Sequence, residues 1–162
     1  MRILNKILGS IEVTKSLKLL ICIGGLYSLS IALSNTFVNV FLWKQSNRIL
    51  DIALYNFAIN FIQPFAFIVA GKAAKKFDRI VVLRIGVIIL SLFFVNVLVF
   101  GSNGTNNVIL FGLLLGTGYG FYWLAYDVLT FEITEPETRD FFNGFLGIMM
   151  SLSGMIGPFV SG

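Results

Sequence analysis

Histidine is absent from these 162 residues, and cysteine occurs once, as Cys22 within an apolar stretch. Together these shortages remove an intrachain disulfide, the usual zinc-ligand spacings and the nucleophile-base pairs of common hydrolytic sites. No metal, no cofactor and no enzymatic chemistry is expected. Charge is scarce as well. Only 12% of residues are charged against 57% hydrophobic, with a mean hydropathy of +0.88, too little polar surface to coat a globule in water. The formal charge of +4 sits in clusters beside apolar runs and not along a helical stripe or an aromatic-interleaved patch, so no nucleic-acid partner is expected.

What the chain has in quantity is apolar runs near the roughly 20 residues that a helix needs to cross hydrocarbon. They cover 19–43, 51–72, 80–100, 108–131 and 141–162. The runs are too long for barrel strands and do not alternate, so the expected fold is an all-α membrane protein, a bundle of about five transmembrane helices in a lipid bilayer. Seventeen Phe residues, spread over all of them, fit lipid-facing surfaces. Pro64 and Pro158 lie inside spans and invite kinks.

The loops alternate in charge. Arg2, Lys6, Lys15 and Lys18 precede the first span, and the segment Gly71-Lys72-Ala73-Ala74-Lys75-Lys76-Phe77-Asp78-Arg79, with Arg84, forms a basic turn between the second and third. Lys44 and Arg48 fall in the first outer loop, Arg139 in a later inner one, and 101–107 carries no charge. The positive-inside rule then sets the amino terminus in the cytoplasm of a multi-pass plasma-membrane protein. The basic start followed by an apolar run also resembles a signal peptide with an Ala32-Leu33-Ser34 cleavage pattern. However, the run is longer than such an h-region and continues to Trp43, so it reads as the first span. Because the fifth run reaches Ser161-Gly162 without an interfacial tail, the chain is expected to be the amino-terminal domain, 1–162, of a longer protein.

Polar residues inside the spans are arranged in stripes. Gly24, Ser28, Ala32, Asn35 and Asn39 share one face of the first helix, and Asn56, Asn60 and Gln63 share one face of the second. Amides turned to lipid are costly, so both stripes must meet protein or water, either gluing helices together or lining a cavity. In the fourth span Gly112, Gly116 and Gly120 form a small-residue ladder for close helix packing. Tyr119, Trp123 and Tyr126 lie on another face with Tyr122 one step aside, suited either to a cavity for an amphiphilic ligand or to an interfacial belt. Asp127 falls near the inner boundary, where a solvated charge or a partner for the basic turn is weighed against a proton carrier. Asn103-Gly104-Thr105 resembles a glycosylation sequon or a simple turn.

Three local patterns resemble the major facilitator superfamily of secondary transporters, built from two six-helix halves. The turn after the second span resembles the family signature there: Gly71 and Arg79 match, while Lys75 stands where an acid belongs and Asp78 replaces a second glycine. Glu132 to Arg139, an acid and an arginine separated by six residues around Pro136, is similar to the signature after the fourth span. Gly144, Ser153, Gly157-Pro158, Ser161 and Gly162 are spaced like the glycine-rich fifth-span signature of proton-coupled drug exporters, with small-residue packing and a bend as its physical content. One departure is Leu114, where those exporters commonly carry an arginine before a Gly-x-Gly element.

The resemblance implies a secondary-active transporter of a small, possibly amphiphilic solute, with export or antiport favoured over uptake. It also implies that the remaining carboxy-terminal helices of the same protein complete the site. On the residues above, Asn35, Asn39, Asn56, Asn60, Gln63, Tyr119 and Trp123 are the expected solute-facing set. Gly71, Arg79, Asp127, Glu132 and Arg139 are the expected inner-face charge network, and Gly144, Gly157 and Pro158 the helix-packing motif. The rival of another class is a small non-transporting membrane subunit whose amides and glycines serve helix assembly.

Overall fold

The structure, a computed structural model, describes residues 14–100 and 106–161. The side chains of Asn35, Glu137, Pro158 and Ser161 lie outside that description, as do Asn103-Gly104-Thr105, Arg2, Lys6 and Gly162. Five helices follow one another among the described residues: α1 (Lys15–Ser46), α2 (Ile49–Lys76), α3 (Arg79–Phe100), α4 (Val108–Ile133) and α5 (Pro136–Ser161).

Each junction has a local cause. Thr14 opens α1, its Oγ1 accepting from the backbone N–H of Leu17 at 3.2 Å, as an N-cap should. Only Asn47 and Arg48 separate α1 from α2. Asn47 takes φ 51°, the left-handed conformation that asparagine tolerates at a helix end, and its N–H donates to Trp43 O at 2.9 Å. Asp78 Oδ1 accepts from Ile80 N at 3.0 Å to start α3. At the α4–α5 junction Pro136 occupies the first helical position, where its missing N–H is harmless. Thr138 Oγ1 accepts from Glu135 N at 2.9 Å, a reciprocal cap one turn in.

Helices α1 to α4 are long and apolar enough to cross a membrane. The fifth, α5, has 26 residues and carries no charged residue from Phe141 on. The basic segment is corrected. Gly71 to Lys76 continue α2, and only Phe77 and Asp78 turn the chain. Ala73 and Ala74 pack beside the buried cluster Ala70, Val82 and Ala125, and lysines in the last turn suit the negative end of a helix. Helix therefore wins there over loop. At 28 residues, α2 rises about 42 Å, more than about 30 Å of hydrocarbon requires.

The chain divides into two compact units. In the unit formed by residues up to Thr36 and from Thr130, the buried face of α5 runs Phe142, Leu146, Ser153 and Gly157. A Cβ on Gly157 would lie 2.9 Å from the backbone of Ala32, and one on Gly25 would collide with Met149. Gly144 departs from the packing expectation: it is exposed, with open space where a side chain would go. Thirteen residues at 100° each set it about 140° around the helix from Gly157.

In the other unit, Phe37–Leu129, α4 lies between α2 and α3. Cβ atoms on Gly112 and Gly116 would approach Tyr55 O and Ile59 O of α2 at 2.6 and 2.5 Å, and one on Gly120 would overlap Ala66. On the other side, a Cβ on Gly86 of α3 would sit 2.6 Å from Tyr122 N, and one on Gly118 would sit 2.7 Å from Leu90. Backbones meet directly here because no side chain intervenes. Farther along, Phe93 and Phe111 close the α3–α4 seam edge to face at 6.4 Å.

Overpacking this seam is expected to be costly. Gly116→Leu should lower stability by about 1–3 kcal/mol or more, whereas Gly147→Leu, with nothing within 4 Å, should be nearly neutral. Thermal unfolding of the full-length product in detergent, followed by far-UV circular dichroism, reads both; equal midpoints would contradict the ladder's role.

Candidate functional site

Helix α2 carries three different faces. The first, Tyr55, Ala58, Ile59, Ala66 and Ala70, is buried and includes the residues that meet the α4 glycines. The second is a stack of phenylalanines at steps of four: Phe57, Phe61 and Phe65, exposed by 66%, 56% and 53%, with ring centroids 5.7 and 5.5 Å apart. The third is the amide stripe. Asn56 and Asn60 are exposed and Gln63 is half-buried.

The amides are organised. Asn56 Nδ2 donates to Ile52 O at 2.8 Å and to Asn39 Oδ1 at 3.3 Å, and Asn60 Nδ2 donates to Asn56 O at 2.8 Å. The structure thus brings together one expected member from α1 and one from α2. Asn39 itself is half-buried. Pro64, inside α2, has no N–H to offer the carbonyl of Asn60 one turn back, so the helix ladder leaves that acceptor open beside the amides. A run of acceptors and donors on an exposed helix face is what a polar solute can use.

On α4, Tyr119 and Trp123 are half-buried and Tyr122 and Tyr126 buried. Tyr122 and Tyr126 stack at 5.6 Å with planes 12° apart, and Trp123 meets both rings edge-on at 5.7 and 5.9 Å. Tyr126 therefore belongs to a packed aromatic group and not to a lipid-facing belt. Its burial makes it a structural element, while Tyr119 and Trp123 keep part of their surface accessible. Leu114 is half-buried and supplies no charge.

The α2–α3 turn forms a cleft of about 850 Å³ lined by Gly71, Lys75, Lys76, Asp78, Arg79, and by Leu124 and Val128 of α4. Gly71 is not forced by packing: a Cβ there would stand 3.9 Å from Leu124, an ordinary contact. Asp127 is exposed one residue from this lining.

In the unit that contains Thr130 onward, Arg139 folds back across the α4–α5 junction. Its Nε donates to Thr134 Oγ1 and its Nη2 to Thr134 O, each at 3.1 Å. Its guanidinium lies 4.3 Å over the Phe131 ring. Thr134 Oγ1 in turn donates to Thr130 O at 2.6 Å. The arginine thus holds the carboxyl end of α4, satisfying a terminal carbonyl and opposing the negative helix end. Glu132 is exposed. In sequence Thr134 is only a threonine two residues before Pro136, and any threonine at a junction reads the same way; its burial comes from the fold. Lys75 and Lys76 were legible as charge, and their concave floor of Leu124 and Val128 was not.

Comparison with known proteins fits this architecture. Residues 17–162 match the family described as Major Facilitator Superfamily. An uncharacterized protein, YqgE, of Bacillus subtilis (strain 168) is 58% identical over 159 residues, 98% of this chain and 37% of that protein. An "Uncharacterized protein in sodM 3'region" of Geobacillus stearothermophilus is 57% identical over 162 residues, the whole chain and 76% of that protein. The chain thus spans well under half the length of the first of these relatives. No solved structure gives a significant match.

Arg139→Lys keeps the charge but not the forked donor geometry. It is expected to lower stability of the full-length product by about 1–2 kcal/mol, measured as a drop in the thermal midpoint. An unchanged midpoint would show that the Thr134 contacts do not hold the junction.

Proposed function

Because the chain belongs to the major facilitator superfamily, a family of membrane transporters, we propose that it supplies amino-terminal helices of a secondary transporter. The transporter moves a small, amphiphilic solute by alternating access, as one helical half rocks against another. The observation that carries this reading is the exposed amide stripe of α2, Asn56 and Asn60, beside the Asn60 carbonyl that Pro64 leaves open. In hydrocarbon such a face is unfavourable, and in a water-filled path it is a ready binding surface.

Asn39, joined to Asn56, extends that surface. Gln63, Tyr119 and Trp123 belong to the same proposed solute-facing set, while the expected member Asn35 has a side chain outside the described ones. Carboxy-terminal helices of the same protein supply the other wall, which accords with the 37% coverage of the Bacillus relative. Arg79 and Asp127 near the basic turn, and separately Glu132 and Arg139 at the α4–α5 junction, are the proposed inner-face charges that bias one conformation. The resemblance of the segment around Gly157-Pro158 to the fifth-span signature of proton-coupled drug exporters supports export, by antiport, over uptake. The positive-inside distribution of lysine and arginine supports an amino terminus on the cytoplasmic side, and the plasma membrane is the proposed location.

Cells producing the full-length product are expected to clear members of a panel of fluorescent amphiphilic dyes faster than cells without it. Alanine at both Asn56 and Asn60 should slow clearance by roughly tenfold, the effect of about 1.4 kcal/mol of lost solute interaction. Unchanged clearance in a variant produced at the normal level would remove the amide stripe from the solute path.

A further inference from the structure

The α2–α3 turn is more than a hairpin bend. Its cleft of about 850 Å³ combines three cations, Lys75, Lys76 and Arg79, with one carboxylate, Asp78, over an apolar floor of Leu124 and Val128. Asp78 Oδ1 accepts from Ile80 N at 3.0 Å and caps α3, and its single negative charge against the three cations leaves the lining net positive. Lys75 and Lys76 are exposed, and the Lys76 ammonium stands 5.6 Å from the centroid of its neighbour Phe77. Phe77 is 52% exposed. A concave site with cations at its rim and apolar walls beneath is matched to one kind of ligand, an anionic phosphate carried on an apolar body.

We propose that this cleft binds the phosphate of an anionic amphiphile, the headgroup of a phospholipid in the leaflet that the turn faces. Lys75 and Lys76 provide the charge and Leu124, Val128 and Phe77 contact the first carbons below it. A strictly soluble phosphate would use the same cations but not the apolar floor. Near a membrane surface each lysine contributes to binding anionic lipid, and as consecutive residues of α2 the two differ by only about 1.5 Å along its axis. Binding here also bridges α2 to α4, since the lining comes from both. The inference stands on the cleft alone and holds whether or not the transport reading does.

The test uses the full-length product reconstituted in nanodiscs containing equal phosphatidylglycerol and phosphatidylcholine. After extraction into mild detergent, native mass spectrometry counts the lipids retained. The expected result is preferential retention of phosphatidylglycerol, falling by roughly tenfold in Lys75→Gln/Lys76→Gln. Lys75→Arg/Lys76→Arg and the remote Lys44→Gln should keep the preference. In a second arm, the rate of Lys75 acylation by an amine-reactive reagent is followed with inorganic phosphate alone. Slowed acylation together with retained lipid supports a phosphate site filled from the bilayer. Slowed acylation without lipid preference supports the same cations acting on a soluble phosphate and overturns the lipid assignment. No preference and no protection, or a preference unaffected by the glutamine pair, overturns the proposal.

Discussion

Backbone-to-backbone contact along α4 is the constraint on which the rest of the larger unit depends. With no hydrophobic drive between helices in lipid, association relies on close packing, and Gly112, Gly116 and Gly120 let α4 reach the carbonyls of Tyr55 and Ile59 on α2. Gly86 and Gly118 do the same for α3. Once those contacts are made, the rotation of α2 about its axis is fixed. The face of Tyr55, Ile59 and Ala66 is consumed in packing, and the amides and the phenylalanines must look elsewhere.

That fixed rotation gives the amides their meaning. Phe57, Phe61 and Phe65 are suited to lipid, whereas Asn56 and Asn60, one step around the helix, are not. Local bonds to Ile52 O and Asn56 O, with the bridge to Asn39, hold the amides in defined orientations. A scaffold of this kind can present polar groups to a solute without spending its own backbone hydrogen bonds, except at Pro64, where the open Asn60 carbonyl adds an acceptor. At the far end of α2 the same helix carries its lysines past the hydrocarbon thickness. The amide stripe and the basic cleft are therefore parts of one element.

The helices and the stripes were legible in the sequence because both rest on period and length: Asn56 and Asn60 are four apart, as are the α4 glycines. What was not legible followed from context. Gly71 reads as a turn residue by type, yet Ala73 and Ala74 pack well enough to prolong α2 to Lys76. Gly144 reads as a packing residue by its place in a pattern, yet its angle on α5 turns it outward. Arg139 reads as a partner for Glu132 by spacing, and the structure adds its grip on Thr134 and Phe131, contacts that only the folded junction creates. The cleft floor of Leu124 and Val128 is two ordinary apolar residues until α4 docks.

The central claim is that one side of α2 faces an aqueous path and the adjacent side faces lipid. It is tested most directly by thiol accessibility in the full-length product carrying Cys22→Ser. The rate of reaction with a water-soluble maleimide is compared for Asn60→Cys and Phe61→Cys in native membranes. Since a thiol in lipid ionises poorly and meets little reagent, the account predicts that the first reacts about tenfold faster or more. Equal rates, or faster reaction at position 61, would contradict it.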